Sequence, residues 1–121
     1  AAGKTEASTV LEKEDTIAIY GSNEFAAKAI INANGGFKES KLGADKILAV
    51  GFDSGALQQD AIRKGIFVGS VTQDPVQIGY QAVKLAIAAA KGETVKDVDT
   101  GSKWYDAKNI DSEEIKALLY E

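Results

Sequence analysis

The sequence predicts an α/β fold of three layers, in which a doubly wound parallel sheet lies between helices. Short apolar segments alternate three times with longer segments whose apolar residues recur at helical spacing. Each of these helical segments ends at glycine, which accepts the left-handed conformation at a helix end. Such strand–helix alternation implies parallel strands joined by right-handed crossovers.

The first unit is a strand over residues 16–20 followed by a helix over residues 23–34. Gly35 and Gly36 end this helix. We expect its apolar positions to pack as one face into the core: Phe25, Ala26, Ala29, Ile30 and Ala33.

The second unit begins with residues 47–52, which are nearly all apolar and therefore predict a strand buried on both faces. A helix over residues 54–64 follows, with Ser54 as its expected N-cap and Gly65 at its end. The third strand is predicted over residues 66–71.

The third helix is predicted over residues 75–91, ending at Gly92. Asp74 can cap its free amides, and Pro75 suits the first helical position. An apolar face is formed by Val76, Tyr80, Val83 and Ile87.

The flanking segments are less regular. Residues 4–13 favour a helix, residues 95–109 are irregular or short-stranded, and residues 111–120 favour a final helix with a capping box of Asp111 and Glu114. Three strands make a thin sheet, which indicates that further strands lie outside this chain. We expect the unpaired edge of the first strand to be covered by the missing segment or by another chain.

Composition excludes several functional classes. The 121 residues include no Cys, no His and no Met, and 14 Lys and Arg stand against 18 Asp and Glu. Without Cys and His there is no disulfide, no thiol chemistry and no His-based general base. A net charge of −4 argues against a nucleic-acid surface. The start at Ala1 without Met suggests that the chain lies within a longer protein.

Candidate ligand groups follow the three strands at residues 21–24, 53–55 and 72–74. Ligands of open α/β sheets bind beyond the carboxyl ends of the strands. The mixture of hydroxyl, amide and carboxylate groups suits a small polyhydroxylated ligand. Ser22, Asn23 and Asp74 also lie where helix caps belong, and capping is favoured for Asn23 and Asp74.

Asp53 and Gln73 are the stronger candidates for ligand contact. Capping by Ser54 would leave the Asp53 carboxylate free, and Gln73 precedes the cap of the third helix. The adjacent pair Trp104 and Tyr105 could stack on a sugar face, although buried aromatic residues more often belong to the core.

A receiver-like phosphoacceptor domain is one rival, since Asp53 ends a strand as a phosphoacceptor would. That chemistry also needs an acidic pair after the first strand to hold Mg²⁺. Here only Glu24 follows that strand, and the pair Glu14 and Asp15 precedes it. The receiver interpretation is therefore disfavoured.

Several motifs occur together in a fixed order. They are Gly-Phe-Asp at 51–53, Gln-Asp-Pro at 73–75, Ile-Gly-Tyr at 78–80 and Asp-Thr-Gly at 99–101. As a set they resemble the ribose-binding-protein group of periplasmic sugar-binding proteins, the ligand receptors of ABC importers. The tail from 104–106 through 118–120 resembles the C-terminus of one branch of these receptors.

The resemblance implies a type I periplasmic binding protein fold, in which two lobes close over a sugar. The chain would be a partial C-terminal lobe, with βα units over 1–92 and a return segment with the C-terminal helix over 93–121, leading to the other lobe. Asp53 and Gln73 would contact the ligand. Ser22 falls where many relatives have Asn, and Asn23 where they have Asp.

The same resemblance implies binding without catalysis, cofactor or metal. The partners would be a sugar, the N-terminal lobe and the ABC permease, with no nucleic acid. The protein would be periplasmic, or extracellular and lipid-anchored. The effector-binding domain of a LacI-type transcription regulator shares this fold and is the alternative, although the tail at 99–121 looks more like that of the transport receptors.

Overall fold

The structure, a computed structural model, describes residues 2–120. Nine elements follow one another: α1 (Ala2–Leu11), β1 (Ala18–Tyr20), α2 (Glu24–Ala33), β2 (Leu48–Phe52), α3 (Ala56–Arg63), β3 (Gly69–Gln73), α4 (Pro75–Ala90), β4 (Ser102–Tyr105) and α5 (Glu113–Lys116). All three predicted βα units are present, which confirms the α/β class.

The four strands form one sheet in the order β1-β2-β3-β4. β1, β2 and β3 are parallel, with Tyr20 opposite Val50 and Phe52 opposite Val71. β4 lies in the segment expected to be irregular or short-stranded and runs antiparallel to β3, with Val71 opposite Trp104. The sheet is therefore mostly parallel and gains an antiparallel edge strand from the return segment.

The core draws on almost every element. Its residues, each no more than 8% exposed, are Ala7, Leu11, Ala27, Ile30, Ile31, Leu42, Ala49, Ala61, Ile62, Ile66, Phe67, Tyr105, Ile110 and Ile115. The last three belong to the return segment. β4 and α5 therefore complete the core of this lobe, and the division of the chain into βα units over 1–92 and a return segment over 93–121 stays a prediction.

The apolar face assigned to α2 was partly wrong. Asn23 caps this helix as predicted, with its Oδ1 accepting from the Ala26 N–H at 2.8 Å. Phe25 is 69% exposed, whereas Ala27, Ile30 and Ile31 are buried. The Phe25 ring lies against Gly3 of α1 and not in the core.

The predicted caps of two further helices differ from those observed. Gly55, not Ser54, is the N-cap of α3, and the Ser54 hydroxyl is fully buried and donates to the Leu118 carbonyl at 3.3 Å. Ser112, not Asp111, caps the short α5, while Asp111 pairs with Arg63. In both cases the side chain that was predicted to cap a helix instead contacts a residue far away in sequence.

The third strand begins three residues later than predicted. The amides of Ile66 and Phe67 both donate to the Ala61 carbonyl at the end of α3, at 2.8 and 3.1 Å. These two residues therefore form the turn, and β3 starts at Gly69 and runs to Gln73.

α4 stands apart from the rest of the lobe. None of its residues is buried, and its apolar residues Val76, Tyr80, Val83 and Ile87 are 53–71% exposed. Their helical spacing is as predicted, but no described residue covers them as a core would.

β1 is an edge strand whose only strand partner among residues 2–120 is β2. Ile17 is 83% exposed and Tyr20 57%. Within residues 2–120 this edge is therefore exposed, and its covering by a segment outside this chain or by another chain stays a prediction.

Trp104 of β4 lies across Gly69 of β3, where a Cβ would overlap the indole ring. Gly69→Ala should therefore lower the free energy of unfolding by about 1–3 kcal/mol, because the indole has to move. Urea unfolding followed by the fluorescence of Trp104, the sole tryptophan, measures this.

Gly79→Ala is the matched control, since a Cβ on Gly79 in α4 meets no atom within 4 Å. It should leave the chain as stable or slightly more so, because alanine favours helix. An equal loss in both variants would contradict the steric argument at Gly69.

Candidate functional site

The predicted site residues all lie just beyond the carboxyl ends of β1, β2 and β3. Ser22 and Asn23 follow β1, Asp53 follows β2, and Gln73 is the last residue of β3. Because these strands are parallel neighbours, their carboxyl ends meet at one edge of the sheet. We call these four residues the strand-end rim.

Asp53 is held in place by both its backbone and its side chain. Its φ of 78° lies in the left-handed region, which non-glycine residues rarely adopt. Its Oδ2 accepts a hydrogen bond from the Glu24 N–H at 2.9 Å. The prediction that the Asp53 carboxylate is free was therefore wrong for one of its oxygens. That oxygen caps the N-terminus of α2, the helix that follows the neighbouring strand.

Glu24 lies within the candidate segment 21–24 but was not singled out as a ligand-contacting residue. Its carboxylate lies over Gly55, the N-cap of α3, and pairs with Lys28 one turn along its own helix. Asp53 thus caps α2, the helix that begins with Glu24, and the Glu24 carboxylate lies beside the N-cap of α3. Carboxylates at helix N-termini are favoured by the unpaired amides and the helix dipole.

Asn23 and Asp74 act as caps, as predicted. Asp74 Oδ1 accepts from the Gln77 N–H at 2.8 Å, the same arrangement that Asn23 makes at α2. Each cap engages one side-chain oxygen, so the Asn23 amide nitrogen still faces solvent on an exposed residue.

Ser22 and Gln73 are exposed, and within residues 2–120 their side chains make no hydrogen bond. Their hydroxyl and amide groups are therefore accessible to solvent. A ligand with hydroxyl groups could replace that solvent without disturbing a cap or a core contact. Of the four rim residues, these two are the ones whose side chains hold no hydrogen bond within residues 2–120.

The C-terminal tail lies against the strand ends. The Leu118 carbonyl accepts from the hydroxyls of Ser54 and Thr72, both at 3.3 Å, and the Tyr120 carbonyl accepts from Gln59 Nε2 at 2.9 Å. The Tyr120 hydroxyl donates to Glu24 Oε2 at 3.4 Å. Partial burial, with smaller effects from the charges of Asp53 and Glu24, raises the pKa of Tyr120.

A cavity of about 250 Å³ lies beside Gln73, where the chain leaves for α4 and where it returns. Its polar lining includes Asp74, Thr100 and Lys103. Lys103 also pairs with Glu114 of α5. The cavity therefore extends the strand-end rim towards the two chain crossings between α4 and the lobe.

Neither a metal centre nor a membrane span is found in the described part of the chain. Among residues 2–120, no group of three or more Asp, Glu, His or Cys side chains is arranged to hold a metal ion. No helix there has the length and apolar character needed to cross a bilayer.

Tyr105 is fully buried, and its hydroxyl donates to the Asp53 carbonyl at 2.8 Å. Burial raises the pKa of Tyr105 from 10.0 to about 12. An unfolded tyrosine loses its proton near pH 10, whereas the folded one keeps it. This contribution to stability is therefore present below pH 10 and lost as the pH rises towards 12.

Between about pH 9 and pH 12, the free energy of unfolding of the parent should fall by about 2 kcal/mol more than that of Tyr105→Phe, because the variant lacks the group that titrates. Urea unfolding at both pH values measures the difference between variant and parent. Tyr80→Phe, at an exposed position, should leave the pH dependence unchanged. A parent and a Tyr105→Phe variant with parallel pH profiles would contradict the assignment.

Comparison with known proteins places the chain in a family. The model for the periplasmic binding protein domain matches residues 1–94. A comparison with curated proteins gave no match. The chain belongs to the periplasmic binding protein family.

Two of the solved structures that it resembles are solute-binding proteins with a bound sugar. One, from Agrobacterium vitis with bound D-fucose, has 29% identity and a TM-score of 0.84 over 99% of this chain and 41% of that one. Another, a carbohydrate transporter solute-binding protein from Agrobacterium radiobacter in complex with D-arabinose, has 29% identity and a TM-score of 0.82 over 98% and 39%.

A third similar structure, described as an ABC transporter, LacI family transcriptional regulator, comes from Brachyspira murdochii. It has 46% identity and a TM-score of 0.83 over 98% of this chain and 40% of that one. The chain thus spans about 40% of the length of the solved structures that it matches, and its fold is that of a partial lobe.

Proposed function

We propose that this chain is part of the substrate-binding component of an ABC importer and that it contacts a sugar through its strand-end rim. The main support for this proposal is the position of two exposed polar side chains without a hydrogen bond in residues 2–120. Ser22 and Gln73 lie on either side of Asp53 at the carboxyl ends of three parallel strands. Two solved structures of the same fold hold D-fucose and D-arabinose.

Each rim residue has a distinct chemical role in this proposal. The Asp53 carboxylate accepts hydrogen bonds from sugar hydroxyls, and the Gln73 amide both donates and accepts. The Ser22 hydroxyl and the Asn23 amide nitrogen supply further polar contacts. No group on the rim needs to make or break a covalent bond, so the proposed activity is binding without catalysis.

The exposed face of α4 supports a two-lobed receptor. A 16-residue helix with an apolar stripe but no buried residue lacks the packing that stabilises most helices. The receptors of this fold are about two and a half times as long as this chain. We infer that α4 packs on the other lobe. The chain segments before and after α4, which lie beside Gln73, would then connect the two lobes.

The proposed mechanism is ligand-driven closure. A sugar bound on the rim would also touch the other lobe, and contacts made only in the closed form would shift the equilibrium towards it. The closed receptor would then dock on the permease of the importer. In this proposal the protein is periplasmic, or extracellular with a lipid anchor.

The effector-binding domain of a LacI-type regulator is the second candidate. It is supported by the 46%-identical structure from Brachyspira murdochii, whose description names both classes. A DNA-binding headpiece encoded upstream of residue 1 would favour the regulator, whereas a signal peptide would favour the receptor.

The binding proposal is tested in the complete receptor with two alanine variants. Asp53→Ala should weaken sugar binding by a few kcal/mol, roughly the loss of charged hydrogen bonds, and Gln73→Ala by about 1 kcal/mol. Isothermal titration with D-fucose, D-arabinose and related monosaccharides measures both.

Gln81→Ala, on α4 and away from the rim, is the matched control for Gln73→Ala and should keep the parent affinity. Asp53→Asn separates charge from shape, since asparagine can still accept from the Glu24 N–H. Unchanged affinity in a rim variant would remove that residue from the site.

The role of α4 is tested by placing a charge on its apolar stripe. Val83→Asp should lower the stability of the complete receptor by about 2 kcal/mol, because an unpaired carboxylate would be buried against the other lobe. In the 121-residue chain, where Val83 is 62% exposed, the same change should be nearly neutral. Denaturant unfolding of both lengths measures the contrast.

Ala82→Asp is the control, because it puts the same charge on the same helix about 100° away from Val83. It should be tolerated in both lengths. If Val83→Asp has the same effect in the chain and in the receptor, α4 does not pack on the other lobe.

A further inference from the structure

The carbonyl of Asp53 accepts hydrogen bonds from three side chains on three different elements. The donors are the Tyr105 hydroxyl of β4 at 2.8 Å, the Ser70 hydroxyl of β3 at 2.9 Å and Gln58 Nε2 of α3 at 3.3 Å. All three residues are fully buried. Because water cannot replace a lost partner there, rotating the peptide would leave the Ser70 and Tyr105 hydroxyls unpaired and would take one of its two acceptors from Gln58 Nε2.

The left-handed backbone of Asp53 needs such support. A φ of 78° is uncommon outside glycine, although Asp adopts it more often than most residues, and the three hydrogen bonds to the carbonyl hold Asp53 in this conformation. Gln58 shows the cost of this arrangement, since Nε2 donates to the carbonyls of both Phe52 and Asp53 while its buried Oε1 has no partner within residues 2–120. The side chain is thus oriented for holding this turn at the expense of its own acceptor.

The backbone conformation sets the direction of the carboxylate. From this conformation Asp53 Oδ2 reaches the Glu24 N–H at 2.9 Å, while Oδ1 makes no hydrogen bond within residues 2–120. One oxygen is therefore anchored on α2, and the other remains available at the strand-end rim.

We propose that Gln58, Ser70 and Tyr105 are positioning residues that aim the Asp53 carboxylate at a sugar hydroxyl. This inference rests on the proposed function, because it assumes that Asp53 contacts the ligand. The three residues act through the Asp53 carbonyl, and their burial keeps them from touching a ligand.

The test uses the complete receptor carrying Ser70→Ala or Tyr105→Phe, with Ser54→Ala as the matched control. Ser54 is an equally buried serine in the same polar cluster, but its hydroxyl bonds with Thr72 and the Leu118 carbonyl instead of the Asp53 carbonyl. Any general effect of removing a buried hydroxyl group should therefore appear in Ser54→Ala as well.

Two readouts separate positioning from stability. The first is the hydrogen-exchange rate of the Glu24 amide by NMR, which reports the anchored carboxylate without any ligand. The second is affinity for D-fucose, D-arabinose and related monosaccharides by titration. Ser70→Ala and Tyr105→Phe should each speed Glu24 exchange by about tenfold more than Ser54→Ala does and weaken sugar binding by about tenfold.

Ser54→Ala should keep affinity within about twofold of the parent. Unchanged Glu24 exchange in both test variants, or an equal change in the control, would overturn the positioning role. If exchange responds as expected but Asp53→Ala leaves affinity intact, the positioning of the carboxylate stands and its proposed contact with the sugar fails. If Asp53→Ala abolishes binding while Ser70→Ala and Tyr105→Phe do not change it, the contact stands and the positioning role fails.

Discussion

The carbonyl of Asp53 receives hydrogen bonds from α3, β3 and β4, while its carboxylate receives one from α2. Four elements thus depend on the geometry of one left-handed residue at the end of β2. Since the donors on the carbonyl are buried, the turn cannot relax without leaving polar groups unpaired in the core. This constraint aligns the neighbouring strand ends and thereby forms the candidate site.

The rim residues divide their capacity between structure and ligand. Asn23 gives one oxygen to the N-terminus of its own helix, and Asp53 gives one across to a neighbouring helix. Capping consumes only part of each side chain, so the caps can also carry ligand contacts. Ser22 and Gln73 hold no structural bond within residues 2–120, which leaves their full hydrogen-bonding capacity to solvent or ligand.

α4 differs from the other long helices because none of its residues is buried within the part of the chain that the structure describes. The lobe formed by β1–β4 with its packed helices is closed around its own core, and β4 returns to it after the excursion through α4. The helix itself contributes nothing to that core and carries an apolar stripe outward. In a family of receptors about two and a half times as long, such a helix fits an element shared between two lobes.

The sequence by itself determined the α/β class, the three βα units, and the caps Asn23 and Asp74, because periodicity and capping are local. It also placed Asp53 and Gln73 at strand ends. The tertiary structure alone decided that Ser54 bonds the tail instead of capping α3, and that Asp53 is held by partners from 5 to 52 residues away. It also decided that the stripe of α4 faces outward. Helical spacing reveals which side of a helix is apolar, but the surface that covers it is set by chain segments far away in sequence.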